Sequence, residues 1–153
     1  MMPELKVLFS DLIRFETELW DAVDARIRSE HDLQLTWFEP MQVMSTHPAC
    51  RVFDIKEELS ITVGGASKLV DRIEAAGLCR RRANPDDRRS QIIELTPAGR
   101  RLLAKATKSF EDELQTRLES VVTERTLDQF AATLRRLRAA NRALRPRGES
   151  VPA

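Results

Sequence analysis

Between Asp54 and Gly99 the chain runs through two short helical patterns, two strand-like patterns around a charged turn, and a strong helix start. That order leaves few folds open: it reads as a helix-turn-helix with a β-hairpin attached, a winged helix. Ile55, Leu59 and Ile61 can face a core from a helix of about two turns. Thr62 stands where a cap for the next helix belongs, its hydroxyl able to accept from a free backbone N–H. In that helix Ala66, Leu69, Val70 and Ile73 recur at helical spacing and define a buried face. Gly77 follows the last apolar turn, in the place of a C′ residue. The opposite face carries Gly64, Gly65, Ser67, Lys68, Asp71 and Arg72. A glycine inside a helix costs up to about 1 kcal/mol relative to alanine. Close approach of the backbone to a phosphate or a base edge would offset that cost; a frayed first turn or close helix packing are the alternatives.

The hairpin follows directly. Leu78 to Ala83 and Gln91 to Leu95 are strand-like, and Asn84-Pro85-Asp86-Asp87 between them is a turn-type cluster. Arg80, Arg81, Arg82, Arg88 and Arg89 ride on it. Arginine is the side chain drawn into a narrow minor groove by its negative potential. Asp87, two residues before Arg89, is close enough to orient it by a charge-assisted bond. A run of charge can also be a mere solvated face. Its position after a recognition-helix pattern points instead to DNA.

Charge distribution agrees. The whole chain carries a formal net charge of only +1. Residues 1–50 hold 4 basic and 9 acidic side chains, whereas residues 80–101 hold 7 and 3. A local basic patch on a nearly neutral protein favours directed over indiscriminate polyanion binding.

Long amphipathic helices flank this unit. From Leu5 to about Glu30, Leu8, Leu12, Phe15, Leu19, Val23 and Ile27 form one apolar stripe, widened by Ile13 and Trp20. A winged helix alone offers too little surface to cover it, so a partner subunit is the economical answer. Thr36 to His47 reads as a second helix with a Thr36/Glu39 capping box, stopped by Pro48. Thr96-Pro97 starts a helix predicted to run to Val122, with a stripe through Leu103, Ala106, Phe110, Leu114, Leu118 and Val121. Thr126 and Gln129 form another capping box for a last helix to Leu144, in which Asn141 either sets register in an apolar seam or faces water. The tail from Pro146 is expected to be disordered.

These residues resemble the MarR family of bacterial transcription regulators along nearly the whole chain. The likeness is sharpest in Ser60 to Gly77, in Asn84-Pro85-Asp86-Asp87-Arg88-Arg89-Ser90 and in Glu94-Leu95-Thr96-Pro97-Ala98-Gly99. The resemblance implies a mainly α fold with a small β-hairpin wing: a winged helix-turn-helix over 36–95 flanked by dimerisation helices at 5–30 and 97–144, one domain spanning 1–145. It implies a homodimer on double-stranded DNA with a pseudo-palindromic operator. The helix from Thr62 would lie in the major groove, with Gly64, Ser67 and Lys68 facing DNA and Arg72 on a phosphate. The family's Asp-x-Arg wing element falls on Asp87 and Arg89, with Arg82 and Arg88 beside it. Gly65 departs from the small side chain that many members carry there. The family also implies repression relieved by a small-molecule effector, often an aromatic or phenolic anion, in a pocket between the first, second and fifth helices. Trp20, Trp37, Glu39 and His47 are its candidates, each with a packing role as the alternative.

Other chemistry lacks its constellation. Gly64-Gly65 has no Gly-Lys-Ser/Thr ending, the two histidines are far apart, and no serine stands in a nucleophile motif. No enzyme activity, no metal and no cofactor are expected. Cys50 and Cys79 form no metal-type pair; some relatives sense redox with a cysteine, but nothing marks Cys50 as a low-pKa thiolate. No apolar run reaches about 18 residues, so no membrane span is expected. With no secretion signal, a cytoplasmic location follows. A winged helix that binds a protein rather than DNA is the second reading. Steep salt dependence and loss of binding in Arg89→Ala would separate the two.

Overall fold

The structure is a computed structural model, and it describes Met1–Leu144; the expected disordered tail lies outside the described residues. The elements are α1 (Leu5–His31), α2 (Leu35–Thr46), α3 (Val52–Leu59), α4 (Val63–Ala75), β1 (Cys79–Ala83), β2 (Gln91–Leu95), α5 (Pro97–Leu114), a π-helical stretch at Gln115–Glu119, and α6 (Glu124–Leu144). Met1–Phe110 is one compact unit, and a second begins at Glu111.

In the first unit the core gathers residues from every element. Ile27 of α1, Phe38 and Met41 of α2, Ile55 of α3, Val70 and Ile73 of α4, and Ile93 of β2 are essentially inaccessible to water. Each such side chain contributes about 1.5–3 kcal/mol relative to exposure. The Phe38 and Phe110 rings meet with centroids 4.9 Å apart.

Local signals explain the junctions of the winged helix. Thr62 Oγ1 accepts from the Gly65 N–H at 3.0 Å, as an N-cap should. At the far end of α4, Gly77 has φ +76°. Its N–H reaches Glu74 O, and the Leu78 N–H reaches Ile73 O, which together make a Schellman end. Thr96 Oγ1 accepts from the Gly99 N–H at 3.1 Å and donates to Gly77 O at 2.7 Å, so the start of α5 closes the base of the hairpin. Gly99 lies against the Leu78 carbonyl so closely that a Cβ there would sit 1.9 Å from its oxygen. The hairpin is antiparallel, with Cys79 opposite Leu95 and Arg82 opposite Ile92. Its strand β2 also receives an outside bond, Ile93 N–H to Cys50 O at 2.7 Å, which joins the wing to the entry of α3.

Three sequence readings are corrected. The helix α2 starts at Leu35, so Thr36 is not its cap and there is no Thr36/Glu39 box. Asp24 of α1 supplies the missing acceptor, taking the Leu35 N–H at 2.8 Å. The helix α6 starts at Glu124, and Thr123 Oγ1 accepts from the Thr126 N–H, so the cap is three residues before the expected one. The regular part of α5 ends at Leu114, where the backbone widens into the π-helical stretch; Val121, placed in the same stripe, is exposed.

The α1 stripe divides. Val23 and Ile27 are buried, while Leu8, Phe9, Leu12, Ile13 and Phe15 remain exposed. In the second unit α6 buries no residue, and Phe130 and Leu137 lie open.

Candidate nucleic-acid interface and ligand cavity

The exposed side of α4 begins with Thr62 and Gly64 and continues through Lys68 and Arg72; Gly65 and Ser67 are half-buried beside them. Gly64 has nothing within 4 Å of where a Cβ would project. Packing among the described residues therefore does not require glycine there. Gly65 is different, because a Cβ would meet the capping Thr62 hydroxyl at 3.1 Å.

The wing sorts its five arginines into two groups. Arg80 Nε is 2.8 Å and Arg82 Nε 3.2 Å from the two carboxylate oxygens of Glu94. The bonded Arg80 guanidinium, with Arg82 adding to it, holds the Glu94 carboxyl below the usual range. Arg81 is half-buried and turns to α4, where it meets Glu74 at 2.9 Å and Asp71 at 2.6 Å; its N–H also donates to Glu74. That clamp ties the wing to α4. Its one signal in the sequence is slight: Asp71 and Glu74, three residues apart on α4, ahead of an arginine run.

Arg88 and Arg89 form the other group. Both side chains are exposed, as are Lys68 and Arg72, and none of the four meets a carboxylate among the described residues. The turn that carries them is built from side-chain bonds. Asn84 Oδ1 accepts the Asp86 N–H, Asn84 Nδ2 donates to Ser90 Oγ, and Asp87 Oδ1 accepts the Arg89 N–H at 2.9 Å. The expected bond between the Asp87 carboxylate and the Arg89 side chain is thus replaced by one to its backbone. Two residues of separation in a tight turn bring the carboxylate to the N–H first. The carboxylate shapes the turn, and the guanidinium is left exposed, with no carboxylate partner among the described residues.

A cavity of about 490 Å³ lies between α2, α3 and α5. Glu39, Gln42, Val43 and His47 line it from α2 and its end, Glu58 and Leu59 from α3, and Leu103 and Thr107 from α5. Glu39 and His47 come together as candidates. Trp20 and Trp37 are not among the lining residues, and α1 contributes no wall. The short α2–α3 connection brings α3 against the end of α2. Burial pushes the Glu39 carboxyl above its usual range. His47 Nδ1 donates to Val43 O at 3.1 Å, and Nε2 is 3.6 Å from Glu58 Oε1.

Both thiols are buried, and burial pushes Cys50 up to about 12 and Cys79 to about 11. A thiol so protonated is a poor sensor. Sequence reading also passed over Ser109, which is buried, donates to Glu30 and lies 2.7 Å from His31 Nε2. Among the described residues no cluster of His, Cys, Asp and Glu is placed to hold a metal, and no helix is long and apolar enough to cross a membrane.

Comparison with known proteins places this geometry. Residues 35–91 match the model of the MarR family. An uncharacterized HTH-type transcriptional regulator of Bacillus subtilis is 25% identical over 71 residues, covering 46% of this chain and 44% of that protein, less than half its length. The structure superposes on a MarR family transcriptional regulator from Streptomyces coelicolor in complex with DNA with a TM-score of 0.84, at 19% identity, over 99% of this chain and 95% of that one. A regulator from Rhodococcus jostii bound to p-coumaroyl-CoA gives a TM-score of 0.74 at 21% identity, over 82% and 87% of the two chains. At such identities the likeness to solved structures shows the fold, a winged helix.

Proposed function

Residues 35–91 match the model of the MarR family, and we propose that the chain is a sequence-specific DNA-binding transcription regulator that works as a homodimer. One observation carries this. Of the cations on α4 and the wing, Lys68, Arg72, Arg88 and Arg89 have no acidic partner among the described residues, while Arg80 and Arg82 share Glu94 and Arg81 meets Glu74 and Asp71. The chain spends carboxylates on holding the wing in place and leaves unpaired the charges at the tip and along the recognition helix. A nucleic-acid backbone is the partner that such placement fits.

The roles follow from position. The α4 start enters the major groove, with Gly64 allowing close approach and Ser67 and Lys68 meeting base edges or phosphates. Arg72 contacts the backbone, and Arg89 enters the minor groove, reading its width more than base identity. Arg88 follows the same groove edge, and Arg82 joins only by exchanging Glu94 for phosphate. Residues 36–95 act as the reading part and 5–30 and 97–144 as dimerisation helices, because α1 and α6 each leave large apolar side chains in water that a second copy can cover. A two-fold dimer then meets half-sites about one helical turn apart. The site of action is the cytoplasm, where such DNA lies, and no catalytic role is assigned to any residue.

We read the outcome as repression relieved by a small molecule bound in the cavity between α2, α3 and α5. A ligand there touches the element that precedes the recognition helix, so it can favour a dimer whose two helices no longer match the half-site spacing. A relative of the same fold crystallised with p-coumaroyl-CoA supports an effector. Selection from a random duplex pool, run for wild type and Arg89→Ala, tests the proposal. It predicts an inverted repeat for wild type and weaker enrichment for the variant. No enrichment by wild type at low salt would favour a protein partner instead.

A further inference from the structure

The lining of the cavity between α2, α3 and α5 has a charge that the resemblance does not lead one to expect. Two carboxylates, Glu39 and Glu58, face it, and no lysine or arginine is among its described lining residues. Glu39 is partly removed from water and has no hydrogen bond or ion pair among the described residues, while His47 Nε2 is 3.6 Å from Glu58. Because His47 gives its Nδ1–H to the Val43 carbonyl, a neutral imidazole presents a lone pair from Nε2. A protonated imidazole cancels only one of the two carboxylate charges. With both carboxylates ionised, the lining is negative in either state of the imidazole. An aromatic carboxylate or phenolate placed here would meet repulsion and find no lysine or arginine among the described lining residues to pair with. Val43, Leu59 and Leu103 supply an apolar wall, and the volume of about 490 Å³ suits a small organic molecule.

We propose that this cavity takes an organic cation, a protonated amine or quaternary ammonium on an apolar body, and not an aromatic or phenolic anion. The cationic head lies against Glu39 and Glu58, and the body packs on Val43, Leu59 and Leu103. This rests on the reading of the cavity as the effector site. It supplies the partner that the Glu39 carboxylate lacks: burial of a charge is tolerated when an opposite charge meets it.

Calorimetric titration of the full chain at low ionic strength tests the ligand class, with benzyltrimethylammonium and phenylacetate as probes of similar size and opposite charge. Benzyltrimethylammonium is expected to bind and phenylacetate not to. Glu39→Gln, close in shape, should weaken the cation roughly tenfold, with a smaller loss for the more exposed Glu58→Gln. Circular dichroism checks that both variants are folded. Phenylacetate binding as tightly as the cation, no cation binding, or cation binding unchanged in both glutamine variants would overturn the assignment. Release from DNA is read separately. A cation that binds with this glutamate dependence but leaves DNA affinity unchanged supports the ligand class and sinks the effector role. The same binding by a chain that takes no DNA supports the ligand class and sinks the regulator reading.

Discussion

Arg82 Nε lies 3.2 Å from Glu94 Oε2, on the neighbouring strand, while Arg80 holds the other oxygen of the same carboxylate. One glutamate therefore restrains two of the wing's arginines. Glu94→Gln should free both for phosphate. Operator affinity is expected to rise about three- to tenfold at low salt, and the plot of log K against log salt to steepen by up to about 0.9 per phosphate newly neutralised. Fluorescence anisotropy across a salt series checks this. An unchanged slope would mean that Arg80 and Arg82 stand clear of DNA.

Two glycines separate outside from inside constraints. Gly64→Ala should leave the fold intact and raise helix stability by up to about 1 kcal/mol, since nothing in the chain crowds the site. DNA affinity should fall nonetheless. Gly99→Ala should cost about 3 kcal/mol or more, because the new methyl collides with the Leu78 carbonyl and backbone must move. Urea unfolding beside DNA titration distinguishes the two, and a Gly64→Ala protein with wild-type affinity would remove Gly64 from the interface.

The thiols carry a pH prediction. Burial raises Cys50 to about 12 and Cys79 to about 11 from an ordinary 9.0. Folding thus opposes their ionisation, so their contribution is fully present below pH 9 and is lost as pH rises through the folded values. Thermal unfolding should shift downward above pH 9, and Cys50→Ala should flatten that decline. An aromatic disulfide reagent at neutral pH should leave both thiols unmodified until denaturant is added. Rapid modification of the folded protein would contradict the burial.

Ser109 is a polar link between α5 and the end of α1. It donates to Glu30 and accepts from His31 Nε2–H, at 2.7 Å, inside a buried position. Ser109→Ala should destabilise by about 1–2 kcal/mol in urea unfolding. The Ser109 bond also holds the Glu30 carboxyl below its usual range. That stabilisation is present above the ordinary glutamate range and is lost as pH falls, so the variant should show a shallower acid limb. An equal loss at every pH would assign Ser109 to packing alone.

Short-range signals made most of the winged helix legible. Thr62, Gly77 and the Thr96-Pro97 pair act within a few residues of themselves, and the helix start, helix end and helix restart fall where those residues stand. The hairpin strands were readable because Ile92, Ile93 and Leu95 flank a turn whose residues can form it alone. What escaped was supplied from a distance. The cap of α2 comes from Asp24, eleven residues earlier on another helix, so Thr36 looked like a cap only because no nearer signal competed. At α6 two threonines three apart both fit a capping pattern, and the sequence alone did not choose Thr123. In the site, residue type told which groups are cationic but not which are spent. Arg80, Arg81 and Arg82 look like Arg88 and Arg89 in sequence, and only the cross-strand and strand-to-helix pairings separate them. Cavity walls are the least local of all: this one takes residues from α2, α3 and α5, far apart in the chain.

The most direct test is the affinity of wild type and Arg89→Ala, as full chains at physiological salt, for the inverted-repeat duplex recovered by selection and for a scrambled duplex of equal length. Wild type should prefer the inverted repeat by about a thousandfold or more. Arg89→Ala should lose much of that preference while its binding to the scrambled duplex changes little. Equal affinity of wild type for the two duplexes, or no binding to either, would contradict the reading of the chain as a sequence-specific regulator.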